Sequence, residues 1–343
     1  MSMKKIKCVV WDLDYTIWDG ILIEDKEVTL KENVVEVIKA LDERGILQSI
    51  SSKNDYTLAM DKLKEFNLDS YFLYPQINWN PKSNGIINIA QSINIGIDTL
   101  AFIDDQQFEL DEVQFVNPDV RCINVENVDT ILEMEEYKPD FITTDSKNRR
   151  LLYITDSKRK EVEDNFIGTK EEFLASLDMR FIISKVEKDD LKRAEELTVR
   201  TNQLNATGYT YSYEELDKLS KSEDYMVLIS ELKDKYGDYG KIGLTLVEKK
   251  KDIWTLKLLL MSCRVMSRGV GSVMLNYLIK KSKEENVTLQ AEFIPTDRNR
   301  MMYITYKFAG FKEIEGNGEV VVFSGADIDK VEIPDYINLV ENM

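Results

Sequence analysis

The sequence predicts an α/β protein of two domains, with a doubly wound parallel sheet first and a mixed α/β unit second. The chain has 343 residues, whereas one domain usually takes about 100–200. From Ile6 to about Val125, short β-rich runs alternate with helical patterns, which is typical of parallel strands joined by helices. A charged segment poor in aliphatic residues follows. We therefore expect domains at 1–138 and 167–343, joined by a charged helical linker at 139–166.

The elements of the first half follow from the spacing of apolar residues. Val34, Val37 and Leu41 recur at helical spacing between two of the strands. The predicted strands include IKCVVW, LAFI and VRCINV. Doubly wound sheets bind ligands beyond the carboxyl ends of their strands, and acidic clusters stand at these positions.

Helical and β-rich runs resume in the second half, beginning with a short helix and a strand. The predicted strands include FIIS, MVLIS, KIGLTLVE, DIWTLKLLLMS and LQAEFI, and a glycine turn precedes the helix VGSVMLNYLIKKSKEEN. Long strands in series, followed by a helix and a further strand, indicate a mixed sheet.

The charge balance narrows the choice of partners. There are 45 Lys and Arg against 62 Asp and Glu, and the formal net charge is −17. A chain this acidic is repelled by phosphate backbones and anionic lipid, so we expect neither nucleic acid nor a membrane as partner. The apolar run that contains Lys257 is too short for the roughly 20 residues of a membrane span.

The content of histidine and cysteine narrows the chemistry. Histidine is absent, so any proton carrier must be a carboxylate, Lys, Cys, Tyr or hydroxyl. The cysteines at positions 8, 122 and 263 are odd in number and widely separated, which indicates neither a disulfide framework nor a zinc site. We expect a cytoplasmic protein.

The clearest chemical signal is the motif VVWDLDYT, in which an apolar strand ends at Asp12 and Asp14 follows two residues later. Two carboxylates at a strand end favour a hard cation such as Mg²⁺ or a phosphoryl group. One carboxylate could act as the nucleophile and the other as the general acid and base. A strand-end turn with capping carboxylates is the simpler alternative.

Three later elements favour the chemical interpretation. Ser52 ends an apolar strand and could hold a phosphoryl oxygen, although Ser51 is an alternative. Lys82 supplies a positive charge, and Asp104 and Asp105 end another strand as further metal ligands. Substrate contacts in this domain are expected from Thr16, Ser51 and Asn54.

Together, these residues resemble the four signature motifs of the haloacid dehalogenase (HAD) phosphohydrolase superfamily. The resemblance implies that Asp12 accepts the phosphoryl group and that Asp14 is the general acid and base. It also implies that Mg²⁺ is bound by Asp12, by Asp104 supported by Asp105, and by the backbone carbonyl of Asp14.

Longer stretches of the sequence around these motifs, and others in the second half, resemble the FkbH-like family. In that family a HAD domain of subfamily IIIC precedes a domain like the GNAT acyltransferases. The matching stretches include DLDYTIWDGILIED, SSKND, FIDDQQFELDEV, RTNQLNATG and LLLMSCRVMSRGVG. The resemblance implies a glyceryl transferase/phosphatase that dephosphorylates 1,3-bisphosphoglycerate. Such a protein loads the glyceryl group onto the phosphopantetheine thiol of an acyl carrier protein for polyketide-type biosynthesis.

The second half has its own candidate residues around the glycine turn. Gly269 and Gly271 let backbone amides approach an anion at a helix N-terminus, although a plain strand-to-helix turn would use glycine too. Cys263 could be a nucleophile stabilised by the flanking Arg264 and Arg268, or a small buried hydrophobe. Arg200 and Asn202 could bind a small hydroxylated acyl group, or serve in loop hydrogen bonds.

Three functions remain open from the sequence. The first is the glyceryl transferase/phosphatase, with an acyl group that could differ from glyceryl. The second is a HAD phosphomonoesterase acting on a small phosphorylated metabolite, whose second domain selects the substrate or binds a carrier. The third is a non-catalytic assembly module that keeps the acidic motifs for structural reasons.

Overall fold

Two α/β units make up the chain, Met1–Ile154 and Thr155–Met343. The computed structural model describes residues 4–25, 27–201, 203–316, 318–328 and 331–343. The first unit contains a parallel sheet and the second a mixed sheet, so the predicted fold class is confirmed. The limits predicted for the domains and the linker stay a prediction.

The first unit alternates strands with helices. Its strands are β1 Cys8–Trp11, β2 Trp18–Asp19, β3 Thr29–Leu30, β4 Leu47–Ser52, β5 Gln76–Ile77, β6 Leu100–Asp104 and β7 Arg121–Asn124. Its helices are α1 Glu32–Glu43, α2 Tyr56–Glu65, α3 Lys82–Ile93, α4 Gln107–Val116 and α5 Thr144–Lys147, with a run of 3-10 helix at Val125–Glu133.

The parallel sheet has the strand order β5-β4-β1-β6-β7. The chain winds outward from β1 in one direction and then, starting at β6, in the other. The strand order therefore reverses between β1 and β6, and such a reversal opens a crevice at the carboxyl ends of the two strands. β2 and β3 form a separate antiparallel hairpin.

Strand β1 is buried on both faces, which explains its unbroken apolar run. Val9 and Trp11 pack with residues of α1 and α2 on one face, while Cys8 and Val10 pack with residues of α3 and α4 on the other. The Trp11 indole N–H donates to Gln48 Oε1 at 3.1 Å, so the one polar atom of this large side chain is satisfied in the core.

The second unit is built on one eight-stranded sheet. Its strands are β8 Met179–Lys185, β9 Tyr225–Asp234, β10 Gly237–Lys249, β11 Ile253–Met261, β12 Thr288–Phe293, β13 Lys312–Gly316, β14 Val321–Ser324 and β15 Ile337–Asn342. Its helices are α7 Lys170–Ser176, α8 Leu191–Arg200, α9 Tyr213–Ser220, α10 Val270–Glu284 and α11 Arg300–Phe308; α6 Arg149–Asp164 spans the boundary of the two units.

The strand order of this sheet is β13-β14-β12-β11-β10-β9-β8-β15. The β11–β12 and β8–β15 pairs are parallel and the other neighbours are antiparallel. Among the described residues, no helix is both long enough and apolar enough to cross a membrane.

A buried arginine ties the second half of α6 to the β9–β10 hairpin. The Arg159 guanidinium makes two hydrogen bonds to the Asp234 carboxylate, at 2.8 and 3.0 Å, and a third to the Gly237 carbonyl at 2.9 Å. It also stacks on the Tyr239 ring at 3.6 Å. The side chains of Arg159 and Asp234 are both fully buried. If either one were removed, water could not solvate the charge of the other.

We expect Arg159→Met to destabilise the second unit by about 3–5 kcal/mol, because it leaves the buried Asp234 carboxylate without a counter-charge. Among the described residues, Asp234 would keep only the hydrogen bonds from the Tyr236 and Gly237 amides and the Tyr239 hydroxyl. Urea unfolding followed by a probe in this unit measures the loss. Lys233→Met removes one partner of the exposed pair that Lys233 forms with Asp238, and should cost about 0–1 kcal/mol. Equal effects of the two substitutions would contradict the account.

Candidate functional site

Three polar side chains meet at the carboxyl edge of the parallel sheet. Asp12 directly follows β1, and Ser52 and Asp104 are the last residues of β4 and β6. β4 and β6 are the two neighbours of β1. The fold therefore brings these side chains together at the reversal of strand order, although they are far apart in the sequence.

Lys82 joins the two aspartates. Its ammonium lies 2.9 Å from Asp12 Oδ1 and 2.6 Å from Asp104 Oδ2. The exposed fractions of the side chains are 4% for Lys82, 5% for Asp12 and 0% for Asp104. Burying charges in this way costs free energy unless they are paired, and here one ammonium is shared by two carboxylates.

The electrostatics of the cluster follow from its burial. Burial raises the pKa of Asp12, and the Lys82 charge opposes that shift. Burial and the neighbouring charge of Asp12 raise the pKa of Asp104 to about 7. Burial alone would lower the pKa of Lys82, but the charges of Asp12 and Asp104 outweigh it and raise this pKa. The cluster has one more carboxylate than ammonium, so it can accept a further positive charge.

Asp105 completes a group of oxygen ligands. Ligand atoms of Asp12, Asp104 and Asp105 lie within 4.8 Å of one another. Burial, followed by the charge of Asp12, raises the pKa of Asp105, and its Oδ1 is buried with no hydrogen-bond partner among the described residues. A buried carboxylate oxygen without a donor is costly and a cation would compensate it, and an all-oxygen donor set suits Mg²⁺. The residues therefore fit the ion that the sequence predicts.

The Asp14 carboxylate is held apart from this group. Its oxygens accept hydrogen bonds from the Trp18 indole at 2.8 Å, the Leu22 amide at 3.1 Å and the Asn54 amide group at 3.0 Å. Tyr15, the next residue, has φ +53°, a left-handed conformation that costs a non-glycine residue about 1–2 kcal/mol. Strained backbone of this kind is frequent at functional sites.

The hydroxyls and the amide near the site have distinct positions. Ser52 hydrogen-bonds to Asp12, whereas the Ser51 hydroxyl donates to the Lys82 carbonyl at 3.1 Å and so holds the start of α3. Of the two serines, Ser52 is the one at the carboxylates. Asn54 is buried against Asp14. Thr16 is fully buried, and its hydroxyl has no partner among the described residues; substrate binding by these residues stays a prediction.

The close approach of α3 to β4 explains a glycine in the Lys82 motif. A Cβ on Gly85 would collide with the Ser51 hydroxyl. Any larger residue would therefore push α3 away from the sheet and move Lys82 with it.

In the second unit, Cys263 is half-buried and unbridged, and it begins a 3-10 turn, Cys263–Arg268. Arg268 is buried, pairs with Glu163 at 2.9 Å and stacks on the Phe173 ring. The Arg268 guanidinium is therefore held by a carboxylate and an aromatic ring. Its role in binding an anion stays a prediction that would require these contacts to open.

Arg264 is in a different position. Its Nη1 is buried without a hydrogen-bond partner among the described residues. Burial raises the pKa of Asp156, and the charge of Arg264 opposes that shift, so the two groups interact. The structure thus places Arg264 beside a carboxylate, and its predicted role toward Cys263 or a ligand is untested.

The two glycines of the turn differ in what they contribute. Gly269 has φ +76° and precedes α10, so this turn itself requires glycine. A Cβ on Gly271 would meet no atom within 4 Å, so nothing in the described chain requires glycine there. Arg200 lies at the end of α8, 3.9 Å from Glu196, and Asn202 lies outside the described residues.

Sequence reasoning missed two features of the site. The first is the Trp18 indole, which donates to the Asp14 carboxylate. The two residues are only four apart, and in a sequence such a spacing does not distinguish a site contact from an ordinary turn. The Lys53 ammonium pairs with Glu109 at 2.6 Å, although the two are 56 residues apart. The only available signal was that Lys53 and Glu109 stand beside motifs already chosen for their chemistry.

Comparisons with known proteins complete the description. No protein-family model and no curated protein matches the chain. Among solved structures, the N-terminal part of a Bacteroides fragilis protein, containing a phosphatase domain and complexed with Mg, matches at 25% identity with a TM-score of 0.31. That match covers 44% of this chain and 39% of the other, so this chain spans about two fifths of the length of that relative.

An acetyltransferase structure and a further domain structure also match. The ribosomal-protein-S18-alanine N-acetyltransferase of Escherichia coli is 17% identical, with a TM-score of 0.34 and coverage of 42% of this chain and 92% of the other. A domain from Methanocaldococcus jannaschii is 16% identical, with a TM-score of 0.35 and coverage of 43% and 97%. TM-scores of this size establish neither a family nor an activity, so the FkbH-like resemblance stays a prediction.

The raised pKa of Asp104 makes the stability of the metal-free protein depend on pH. The group titrates at about 7 when folded and at about 4 when unfolded, so its protonation stabilises the fold at low pH. This contribution is lost as the pH rises from about 4 to about 7. In EDTA, we expect Asp104→Asn to raise the melting temperature of the first unit at pH 8 by several degrees, and to change it little at pH 4.

The matched control is Asp61→Asn, because Asp61 is an exposed carboxylate on α2 that pairs with the similarly exposed Lys64. It should leave the melting curves close to those of the unsubstituted protein at both pH values. A lower melting temperature for Asp104→Asn at pH 8 would show that the charge of Asp104 stabilises the metal-free fold, contrary to this account.

Proposed function

We propose that the chain is a Mg²⁺-dependent phosphoryl-transfer enzyme of the HAD type whose first unit acts as a phosphatase. The observation that carries the proposal is the position of Lys82 between Asp12 and Asp104, at the reversal of strand order. A buried ammonium shared by two carboxylates, with Asp105 beside them, provides a nucleophile, a positive charge and metal ligands in one place.

Mg²⁺ would be held by Asp12, Asp104 and Asp105, with the backbone carbonyl of Asp14 as a further ligand by resemblance. When bound, the ion neutralises phosphoryl oxygens and lowers the cost of bringing a second anion to the carboxylates. Lys82 contributes a fixed positive charge in the same cluster, which requires no reorganisation during the reaction.

Asp12 is the proposed nucleophile. One of its carboxylate oxygens attacks phosphorus and forms a P–O bond, while the bond from phosphorus to the leaving oxygen breaks. Water then attacks the phosphorus of the resulting aspartyl phosphate, which releases phosphate and restores Asp12. Ser52 hydrogen-bonds to Asp12 and is close enough to the nucleophile to donate to a phosphoryl oxygen.

Asp14 is the proposed general acid and base. It gives a proton to the leaving oxygen in the first step and takes one from the attacking water in the second. Hydrogen bonds from Trp18, Leu22 and Asn54 fix the orientation of its carboxylate. Fixed orientation matters because a misplacement of about 1 Å can cost about a hundredfold in rate.

Asp12→Asn should abolish phosphate release, with a loss of at least about a thousandfold, because an amide oxygen is a far weaker nucleophile. The assay measures inorganic phosphate from a panel of small phosphates with Mg²⁺. Asp19→Asn, at an exposed position on β2, should retain activity. Unchanged phosphate release by the Asp12→Asn variant would show that Asp12 is not the nucleophile.

For the whole chain, the proposed substrate is 1,3-bisphosphoglycerate and the proposed partner a phosphopantetheinylated acyl carrier protein. An acyl phosphate is already an activated anhydride, so the second unit need only position a thiol and stabilise the oxyanion. The Cys263 sulfur would attack the carbonyl carbon and the phosphate of the anhydride would leave. Hydrolysis at the first unit would release the second phosphate, the monoester on the third carbon, so that the acyl group becomes glyceryl. The carrier thiol would then displace Cys263 from the thioester, or it would attack the acyl phosphate directly.

The loading test incubates the chain with 1,3-bisphosphoglycerate, Mg²⁺ and holo-carrier, and weighs the carrier by mass spectrometry. We expect a mass gain of one glyceryl unit. If Cys263 is the nucleophile, Cys263→Ala removes the gain, and direct attack by the carrier thiol predicts that it persists. Phosphate release without any mass gain on cognate carriers would contradict loading and favour a phosphomonoesterase.

A further inference from the structure

A second ion pair stands beside the carboxylate cluster. Lys53 directly follows β4, and Glu109 is the third residue of α4. The Lys53 ammonium lies 2.6 Å from Glu109 Oε1. The Glu109 side chain is only 8% exposed, whereas that of Lys53 is 36% exposed. The pair therefore joins a buried carboxylate on one element to a partly exposed ammonium on another.

Lys53 lies in a short segment, residues 52–54, that contacts both Asp12 and Asp14. Lys53 stands between Ser52, which hydrogen-bonds to Asp12, and Asn54, which donates to Asp14 Oδ2 at 3.0 Å. A shift of the Lys53 backbone therefore moves the partners of the proposed nucleophile and of the proposed acid together.

On the glutamate side, the pair is anchored to the turn that holds Asp104. The Gln106 amide donates to Asp104 Oδ1 at 2.8 Å, and the Glu109 amide donates to the Gln106 carbonyl at 3.1 Å. Glu109 is therefore connected to Asp104 through Gln106, which hydrogen-bonds to both residues.

The topology explains why this link matters. β4 and β6 lie on opposite sides of β1, and the ion pair connects the loop after β4 with the helix after β6. It therefore links the two segments that follow the strands on either side of β1, the strand that leads to Asp12 and Asp14.

The burial of Glu109 favours a closed pair. Its second oxygen, Oε2, is buried and has no hydrogen-bond partner among the described residues. A carboxylate in this setting has lost most of its hydration, so the Lys53 charge is its main compensation. Separating the pair is costly, and this cost holds the loop after β4 in place.

We propose that Lys53 and Glu109 are positioning residues for phosphoryl transfer, whose ion pair aligns Ser52 and Asn54 with Asp12 and Asp14. This inference rests on the function proposed above. Neither residue is assigned contact with the substrate; they act through the segment between Ser52 and Asn54.

The test uses the full chain and four variants: Lys53→Met, Glu109→Gln, the double substitution, and Lys53→Arg. The control is Lys64→Met, which breaks an exposed pair with Asp61 on α2. For each protein, kcat, KM and the Mg²⁺ concentration giving half the maximal rate are measured with a small phosphate. Hydrogen exchange of the peptide that contains residues 51–55 and the melting temperature are measured alongside.

We expect both single neutral variants to lower kcat by about 10–100-fold, while KM and the Mg²⁺ requirement change by less than about threefold. The double variant should lose no more than either single one, because the pair acts as a unit. Lys53→Arg keeps the charge and should retain most of kcat. Exchange at residues 51–55 should be faster in the neutral variants and unchanged in the control.

Two results would overturn the inference. One is kcat within twofold of the unsubstituted protein in both single variants. The other is a loss of kcat that follows the melting temperature and leaves exchange at residues 51–55 unchanged, because that is the behaviour of a merely stabilising pair. If the unsubstituted chain releases no phosphate, the proposed function fails, and the exchange measurement alone decides whether the pair holds residues 52–54.

Discussion

The site depends on one interaction, the sharing of a buried ammonium by two buried carboxylates. Without Lys82, Asp12 and Asp104 would face each other as like charges in a region closed to water. With it, the cluster still has one more carboxylate than ammonium. Burial and the charge of Asp12 therefore raise the pKa of Asp104 to about 7, and a further cation would relieve the remaining repulsion.

The fold supplies this arrangement through strand order. Because β1 lies between β4 and β6, one polar residue at the end of each strand is enough to assemble the cluster. Lys82 is brought in by α3, which Ser51 holds close to β4. The adjacent Asp14 has separate supports, because its carboxylate accepts hydrogen bonds from Trp18, Leu22 and Asn54 and makes no ion pair with Lys82 among the described residues.

Much of this could be predicted from the sequence. Asp12, Ser52 and Asp104 each end an apolar run, and parallel strands bring their carboxyl ends to one edge of a sheet. The choice between Ser51 and Ser52 could not be made from the sequence, because alternation along β4 sends neighbouring side chains to opposite faces and its phase depends on packing. The Lys53–Glu109 ion pair could not be predicted for another reason. The sequence beside a motif does not distinguish a charged side chain that is solvated from one that forms an ion pair.

The second unit was less predictable. The series of long strands, followed by a helix and a further strand, was enough to predict a mixed sheet. The environment of the charged residues could not be predicted in the same way. Arg268 stands beside a glycine turn in the sequence, and the structure buries it against Glu163 and Phe173. Arg159 stands in the charged segment after the first domain, and the structure buries it fully against Asp234. Long-range pairing of this kind depends on which helix covers which hairpin, and local sequence does not encode that.

The most direct measurement is the position of a bound metal ion. Crystals of the full chain grown with Mn²⁺, a Mg²⁺ substitute with an anomalous X-ray signal, would locate it. We expect one strong peak ligated by carboxylate oxygens of Asp12, Asp104 and Asp105, with Lys82 still beside the cluster. A peak elsewhere, with the Asp12 and Asp104 carboxylates bound only to Lys82, would contradict this expectation.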